Sequence, residues 1–184
     1  NIGEYKVSSL RKNIGFVSQD VHLFSDTILN NITLKNTDIT FLRVKNAAKE
    51  IEIDEFISSL PEGYNYNVRE RGAGISTGQR QLISFLRAYL KDPQILVLDE
   101  ATSSIDTDSE LLIQNAIEKI TKNRTSIIIA HRLSTIMKAD NIIVMDKGKI
   151  VEQGTHSGLI TNKDGFYKKL YDAQLKKEGS LIID

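Results

Sequence analysis

Residues 94–98 (QILVL) contain four consecutive apolar side chains, Ile95, Leu96, Val97 and Leu98, and the run stops abruptly at Asp99 and Glu100. Successive side chains of a strand point to opposite faces, so a strand-length apolar run without alternation calls for cover on both. An antiparallel sheet with one wet face does not supply that cover, whereas a parallel sheet layered between helices does. The chain is therefore expected to be α/β with a mainly parallel sheet.

The rest of the chain supplies matching parts. Residues 13–18 (NIGFVS) read as a β-rich strand, and a polar loop through Gln19 and Asp20 then leads to a short helix over 28–34. Apolar residues recur at helical spacing over 41–60, with a break expected near Ile53 and Asp54. Ser76 is a plausible N-cap for a strongly amphipathic helix in which Leu82, Ile83, Leu86 and Leu90 share a face, ended by Asp92 and Pro93. A helix over 108–120, a strand over 126–130, a short helix after His131 and a hairpin of 142–145 with 149–152 follow, then an amphipathic helix over 166–175. Residues 27–91 are helical and strand-poor, so they read as a subdomain inserted into a core made of 1–26 and 92–184.

Composition excludes several classes of function. The 184 residues include no Cys, which removes disulfide scaffolds, zinc knuckles, iron–sulfur sites and cysteine nucleophiles. Twenty-four basic side chains balance 24 acidic ones, so no net field favours nucleic acid or an anionic membrane surface, and no nucleic-acid partner is expected. No apolar run approaches the roughly 20 residues of a membrane-spanning helix. The first residues lack a secretory signal and begin with Asn, as in a piece of something longer.

Four places bear on chemistry. Asp99 and Glu100, at the carboxyl end of a buried parallel strand, face the crevice where α/β folds bind ligands, and a carboxylate pair there suits Mg2+ and an attacking water in phosphoryl transfer. The same residues also fit a polar strand end entering a loop. The stretch 74–79 (GISTGQ) opens a helix, where unpaired N–H groups and the helix dipole favour phosphate, although a glycine loop that only caps the helix has the same appearance. His131 follows the strand 126–130 and so belongs on the rim with Asp99 and Glu100, while His22 and His156 read as surface residues. Gln19, at the end of its strand, is placed to reach a metal or water.

In order along the chain, these motifs resemble the nucleotide-binding domain of exporter-type ATP-binding cassette (ABC) transporters. RKNIGFVSQDVHLFSDTILNNI resembles the Q-loop region, RERGAGISTGQRQ the exporter X-loop and signature, and ILVLDEATSSID the Walker B strand and D-loop; SIIIAHRLSTI resembles the switch-histidine region and ADNIIVMDKGKIVEQGTH the hairpin after it. The resemblance covers nearly the whole chain. It implies a P-loop NTPase-like, RecA-like core, incomplete at its start, with an inserted helical signature subdomain. It further implies ATP and Mg2+ as cofactors, a second nucleotide-binding domain bound head to tail, a transmembrane domain as partner, and a place at the cytoplasmic face of the cell's inner membrane.

The resemblance also assigns roles. Asp99 and Gln19 would serve Mg2+, Glu100 would be the general base, and His131 would contact the γ-phosphate. Ser76, Thr77, Gly78 and Gln79 would serve the partner's ATP, Ser103 and Asp106 would belong to the D-loop, and Glu70 would lie near the transmembrane coupling helices. The signature reads ISTGQ where the common form is LSGGQ, so Thr77 adds a β-branched side chain where backbone approaches phosphate. No segment fits the phosphate loop GxxxxGKS/T, so the chain alone is expected not to hydrolyse ATP. The absent loop's strand is expected beside the Asp99 strand, leaving an unpaired buried edge there and a tendency to self-associate.

Overall fold

The structure is a computed structural model that describes residues 2–69, 74–99, 107–130 and 132–180. The helices are α1 (Val7–Asn13), α2 (Ile28–Thr33), α3 (Phe41–Glu50), α4 (Asp54–Ser59), α5 (Thr77–Lys91), α6 (Thr107–Thr121), α7 (Leu133–Met137), α8 (His156–Leu159) and α9 (Phe166–Ser180), and the strands are β1 (Ile14–Val17), β2 (Ile95–Asp99), β3 (Thr125–Ile129), β4 (Ile142–Asp146) and β5 (Lys149–Gly154). The chain divides into two compact units, 1–129 and 130–184.

In the first unit β1, β2 and β3 form a parallel sheet in that order. The expectation of an open edge beside the Asp99 strand is therefore corrected: β2 has a hydrogen-bonded parallel neighbour on each side. Its register pairs Val17 with Leu98 and Asp99 with Ile129, which brings the carboxyl ends of the strands to one edge.

Val17, Leu96 and Leu98 are buried in one cluster with Leu82, Ile83, Phe85 and Leu86 of α5 and Ile113, Ala116, Ile117 and Ile120 of α6. Burying each large side chain of this set contributes on the order of 1.5–3 kcal/mol relative to exposure. The opposite face differs from the expectation of two-sided burial. Phe16, Ile127 and Ile129 are 62%, 55% and 52% exposed, and Ile95 and Val97 are half-buried. The cluster built on α5 and α6 covers one face only, because the period-2 alternation of β2 commits Leu96 and Leu98 to it and leaves its other side chains facing away.

The helices begin and end where local chemistry dictates. Thr27 and Thr40 cap α2 and α3, their hydroxyls accepting from the backbone N–H groups of Asn30 and Arg43. The helical stretch over 41–60 breaks as expected: Glu52 takes a left-handed φ of 64°, and Ile51 and Ile53 on either side are fully buried. At the end of α5, Asp92 adopts the left-handed conformation and Pro93 follows, which cannot extend a helix.

In the second unit β4 and β5 pair antiparallel, with a register irregularity between Val144 and Met145. Lys147 and Gly148 both have positive φ, the geometry of a tight hairpin turn matched to strand twist. Ile142, Val144 and Tyr167 form its small core, with Ile136, Leu159, Ile160 and Tyr171 against it. His156 is not the surface residue expected from sequence. It is half-buried, with Nδ1 2.6 Å from the Tyr167 hydroxyl and its ring against Tyr167 and Tyr171.

Candidate functional site

The carboxyl edge of the three-stranded sheet gathers two of the sequence-predicted residues. Asp99 is the last residue of β2 and is half-buried; Gln19 lies two residues beyond β1 in an exposed bend, where the Ser18 hydroxyl donates to the Asp20 carbonyl at 2.8 Å. Parallel pairing is the cause, since strands running the same way deliver their carboxyl ends to the same rim. Asp99 and Gln19 both offer hard oxygen donors, the chemistry that suits a Mg2+ retaining part of its water shell. Among the described residues there is no cluster of three or more His, Asp or Glu able to hold a metal by themselves. Glu70, Glu100, Ser103, Asp106 and His131 lie outside the described residues.

The GISTGQ segment folds into a helix start with a reciprocal cap. The Ser76 hydroxyl accepts from the Gln79 N–H at 3.2 Å, and the Ser76 N–H donates to Gln79 Oε1 at 3.0 Å. This capping box engages both side chains and leaves the Thr77 and Gly78 N–H groups of the first turn without an intrahelical acceptor. Gly74, immediately upstream, has φ +96°, and a Cβ there would lie 2.8 Å from the Tyr66 hydroxyl. A side chain at that position would be strained by the backbone conformation and would require the Tyr66 hydroxyl to shift. Thr77 is exposed, and Arg80 braces the turn: its Nη2 donates to Thr77 Oγ1 at 2.9 Å and its Nη1 to the Ile75 carbonyl at 2.8 Å. The β-branched departure from the common signature thus has a hydrogen-bonded partner and projects away from the core.

Residues that the sequence reading passed over connect these two places. Asn31, on α2, is fully buried, and the Arg87 side chain of α5 reaches it. Burial pulls the Arg87 guanidinium below its usual range. One turn on, Lys91 Nζ donates to the carbonyls of Arg11 and Ile14 at 2.5 and 2.6 Å, tying α5 to the start of β1. A signal for Arg87 existed in the sequence: it follows buried Ile83 at an interval of four, and a cation on a core-facing row needs acceptors.

The first unit thus combines a parallel sheet edge carrying Asp99 and Gln19 with a capped, glycine-led helix start. The family model described as ABC transporter matches residues 1–103, and the chain belongs to that family. It is 50% identical over 170 residues to an uncharacterised ABC transporter ATP-binding protein, YfiC, of Bacillus subtilis (strain 168), a match covering 92% of this chain and 28% of that protein. It is 51% identical over 173 residues to an ATP-dependent lipid A-core flippase of Legionella pneumophila (strain Paris), covering 94% of this chain and 29% of the flippase. The structure of a bacterial Atm1-family ABC exporter with ATP bound superimposes with a TM-score of 0.80 at 42% identity, covering 91% of this chain and 29% of that one. The chain thus has the fold of an exporter's ATP-binding portion and spans less than a third of the length of these relatives.

Proposed function

We propose that this chain is part of the ATP-binding and hydrolysing domain of an ABC exporter, whose full protein couples ATP hydrolysis to moving a solute across a membrane. The observation that carries this reading is the shared sheet edge of Asp99 and Gln19, in the same compact unit as the capped start of α5. Asp99 and Gln19 would hold Mg2+ through their side-chain oxygens. When bound, Mg2+ offsets the charge on the β- and γ-phosphates of ATP. Glu100 orients and deprotonates the attacking water, and His131 donates to the γ-phosphate.

Ser76 and Gln79 shape the first turn of α5, so that the Thr77 and Gly78 amides meet an ATP held by a second nucleotide-binding domain in a head-to-tail pair. Ser103 and Asp106 are assigned to the D-loop, through which Asp106 would communicate with the opposite site, and Glu70 is assigned to the X-loop segment that would serve the transmembrane coupling helices. Residues 27–91 form the helical subdomain between the two stretches of core, 1–26 and 92–184. The assembly sits at the cytoplasmic face of a membrane and uses no nucleic acid. Among the described residues no helix is long and apolar enough to cross a membrane. These 184 residues hold no GxxxxGKS/T segment and by themselves do not hydrolyse ATP.

The test is phosphate release by the full-length exporter in lipid with Mg2+ and ATP. Glu100→Gln is expected to lower kcat by about 100-fold or more while ATP binding persists, as removal of a general base requires. Hydrolysis unchanged by this substitution overturns the assignment of Glu100.

A further inference from the structure

Every polar group of the buried Asn31 side chain is used, and all its partners but one are backbone. Asn31 Oδ1 accepts from the Phe24 N–H at 2.8 Å, and Nδ2 donates to the carbonyls of Phe24, Asp26 and Thr27 at 2.9, 3.3 and 3.1 Å. Asn31 thereby folds the stretch after Gln19 back onto the start of α2. The remaining partner is Arg87. Its Nε donates to the Asn31 carbonyl at 2.6 Å, its Nη2 to Asn31 Oδ1 at 2.9 Å, and its Nη1 to the His22 carbonyl at 3.0 Å. A single guanidinium fork therefore grips both ends of the 22–31 segment. Only a planar group with donors on three nitrogens fits such a set; a Lys ammonium is a point donor on a flexible stem.

Arg87 lies on α5, the helix whose first turn carries Ser76 to Gln79, and an α-helix of 15 residues is stiff over that length. We infer that Arg87, seated on Asn31, is a positioning residue that locks the segment following Gln19 to the signature helix, so that the two stretches move together during the ATPase cycle. The inference rests on the proposed ATPase reading. It is distinct from the residues that touch nucleotide in that reading: Arg87 acts on them through α5 and through residues 22–31. Displacement of the 22–31 segment is transmitted to the first turn of α5, and displacement of that turn is transmitted back.

The experiment uses the full-length exporter in lipid with Arg87→Lys and, as a neutral variant of similar length, Arg87→Met. Phosphate release by the wild type tests the functional reading separately. For the variants, kcat per folded molecule is expected to fall about ten-fold or more while the KM for ATP stays within about two-fold, because the signature turn is misplaced and the binding groups are intact. Hydrogen exchange without nucleotide gives a readout independent of catalysis: in Arg87→Lys it quickens in residues 22–31 and in 76–80 together. A kcat within about two-fold of wild type, or a loss accounted for wholly by fewer folded molecules, overturns the inference, as does faster exchange confined to 22–31. If neither variant folds, native-state exchange of the wild type in dilute denaturant decides: the amides of Phe24 and Asn31 open together with those of the first half of α5, and separate openings overturn the proposal.

Discussion

Gly15 shows how a single side chain is limited by its neighbours. It lies on the buried face of β1, where a Cβ would stand 2.6 Å from Pro93 Cγ and 3.2 Å from Leu96 Cδ1. Pro93 is held by the turn that ends α5, so the clash has little room to relax. Gly15→Ala is expected to destabilise the chain by about 1–3 kcal/mol, the usual cost of overpacking a filled core, as read by urea denaturation. A midpoint unchanged from wild type would show that Pro93 yields. His156 makes the opposite point. Its hydrogen bond to Tyr167 joins residues 11 apart in the chain, and no local pattern signals that contact. Asn31 is similar, since Asn is usually an exposed residue, and only the crowding of backbone carbonyls around it explains its burial.

Among the elements, α2 illustrates how charge is set at a helix start. The Asp26 carboxylate accepts from the Asn30 side-chain amide at 2.7 Å, pairs with Lys35 at 2.9 Å, and accepts from the Thr27 N–H at 2.8 Å. These contacts, the Asn30 amide foremost, hold its pKa at about 2, below the ordinary 3.8. A depressed carboxylate stabilises the fold above its unfolded pKa, and that contribution is lost as pH falls from about 4 through about 2. Asn30→Ala is expected to raise the Asp26 pKa toward the ordinary value, seen by NMR titration of the carboxyl carbon. A midpoint that stays near 2 would transfer the effect to Lys35 and the backbone. The helices themselves were largely legible, because capping residues and apolar periodicity act over a few residues: Ser76 as N-cap, the break by Ile53 and the stop at Asp92 and Pro93 all stand. The short helices α1 and α8 were not, since seven and four residues carry too little periodicity to register.

Across the whole molecule, the open face of the sheet has consequences for handling the chain. Phe16, Ile127 and Ile129 form exposed apolar surface on strands held rigidly by their neighbours, the kind of surface that drives association. The double substitution Ile127→Thr and Ile129→Thr keeps β-branched side chains on β3. It is expected to reduce self-association of the 184-residue chain in sedimentation velocity, with a stability change within about 0.5 kcal/mol per site. Association unaffected by the pair would point to a different surface.

The α/β class and most element boundaries could be read from residues alone, because they rest on short-range physics: helix periodicity, capping and turn chemistry. The neighbour order of β1, β2 and β3 could not, nor could the single buried face of β2, the burial of Asn31 or the grip of Arg87. Those depend on which distant segments share a desolvated space, and a desolvated polar group takes whatever partner the packed fold brings within reach.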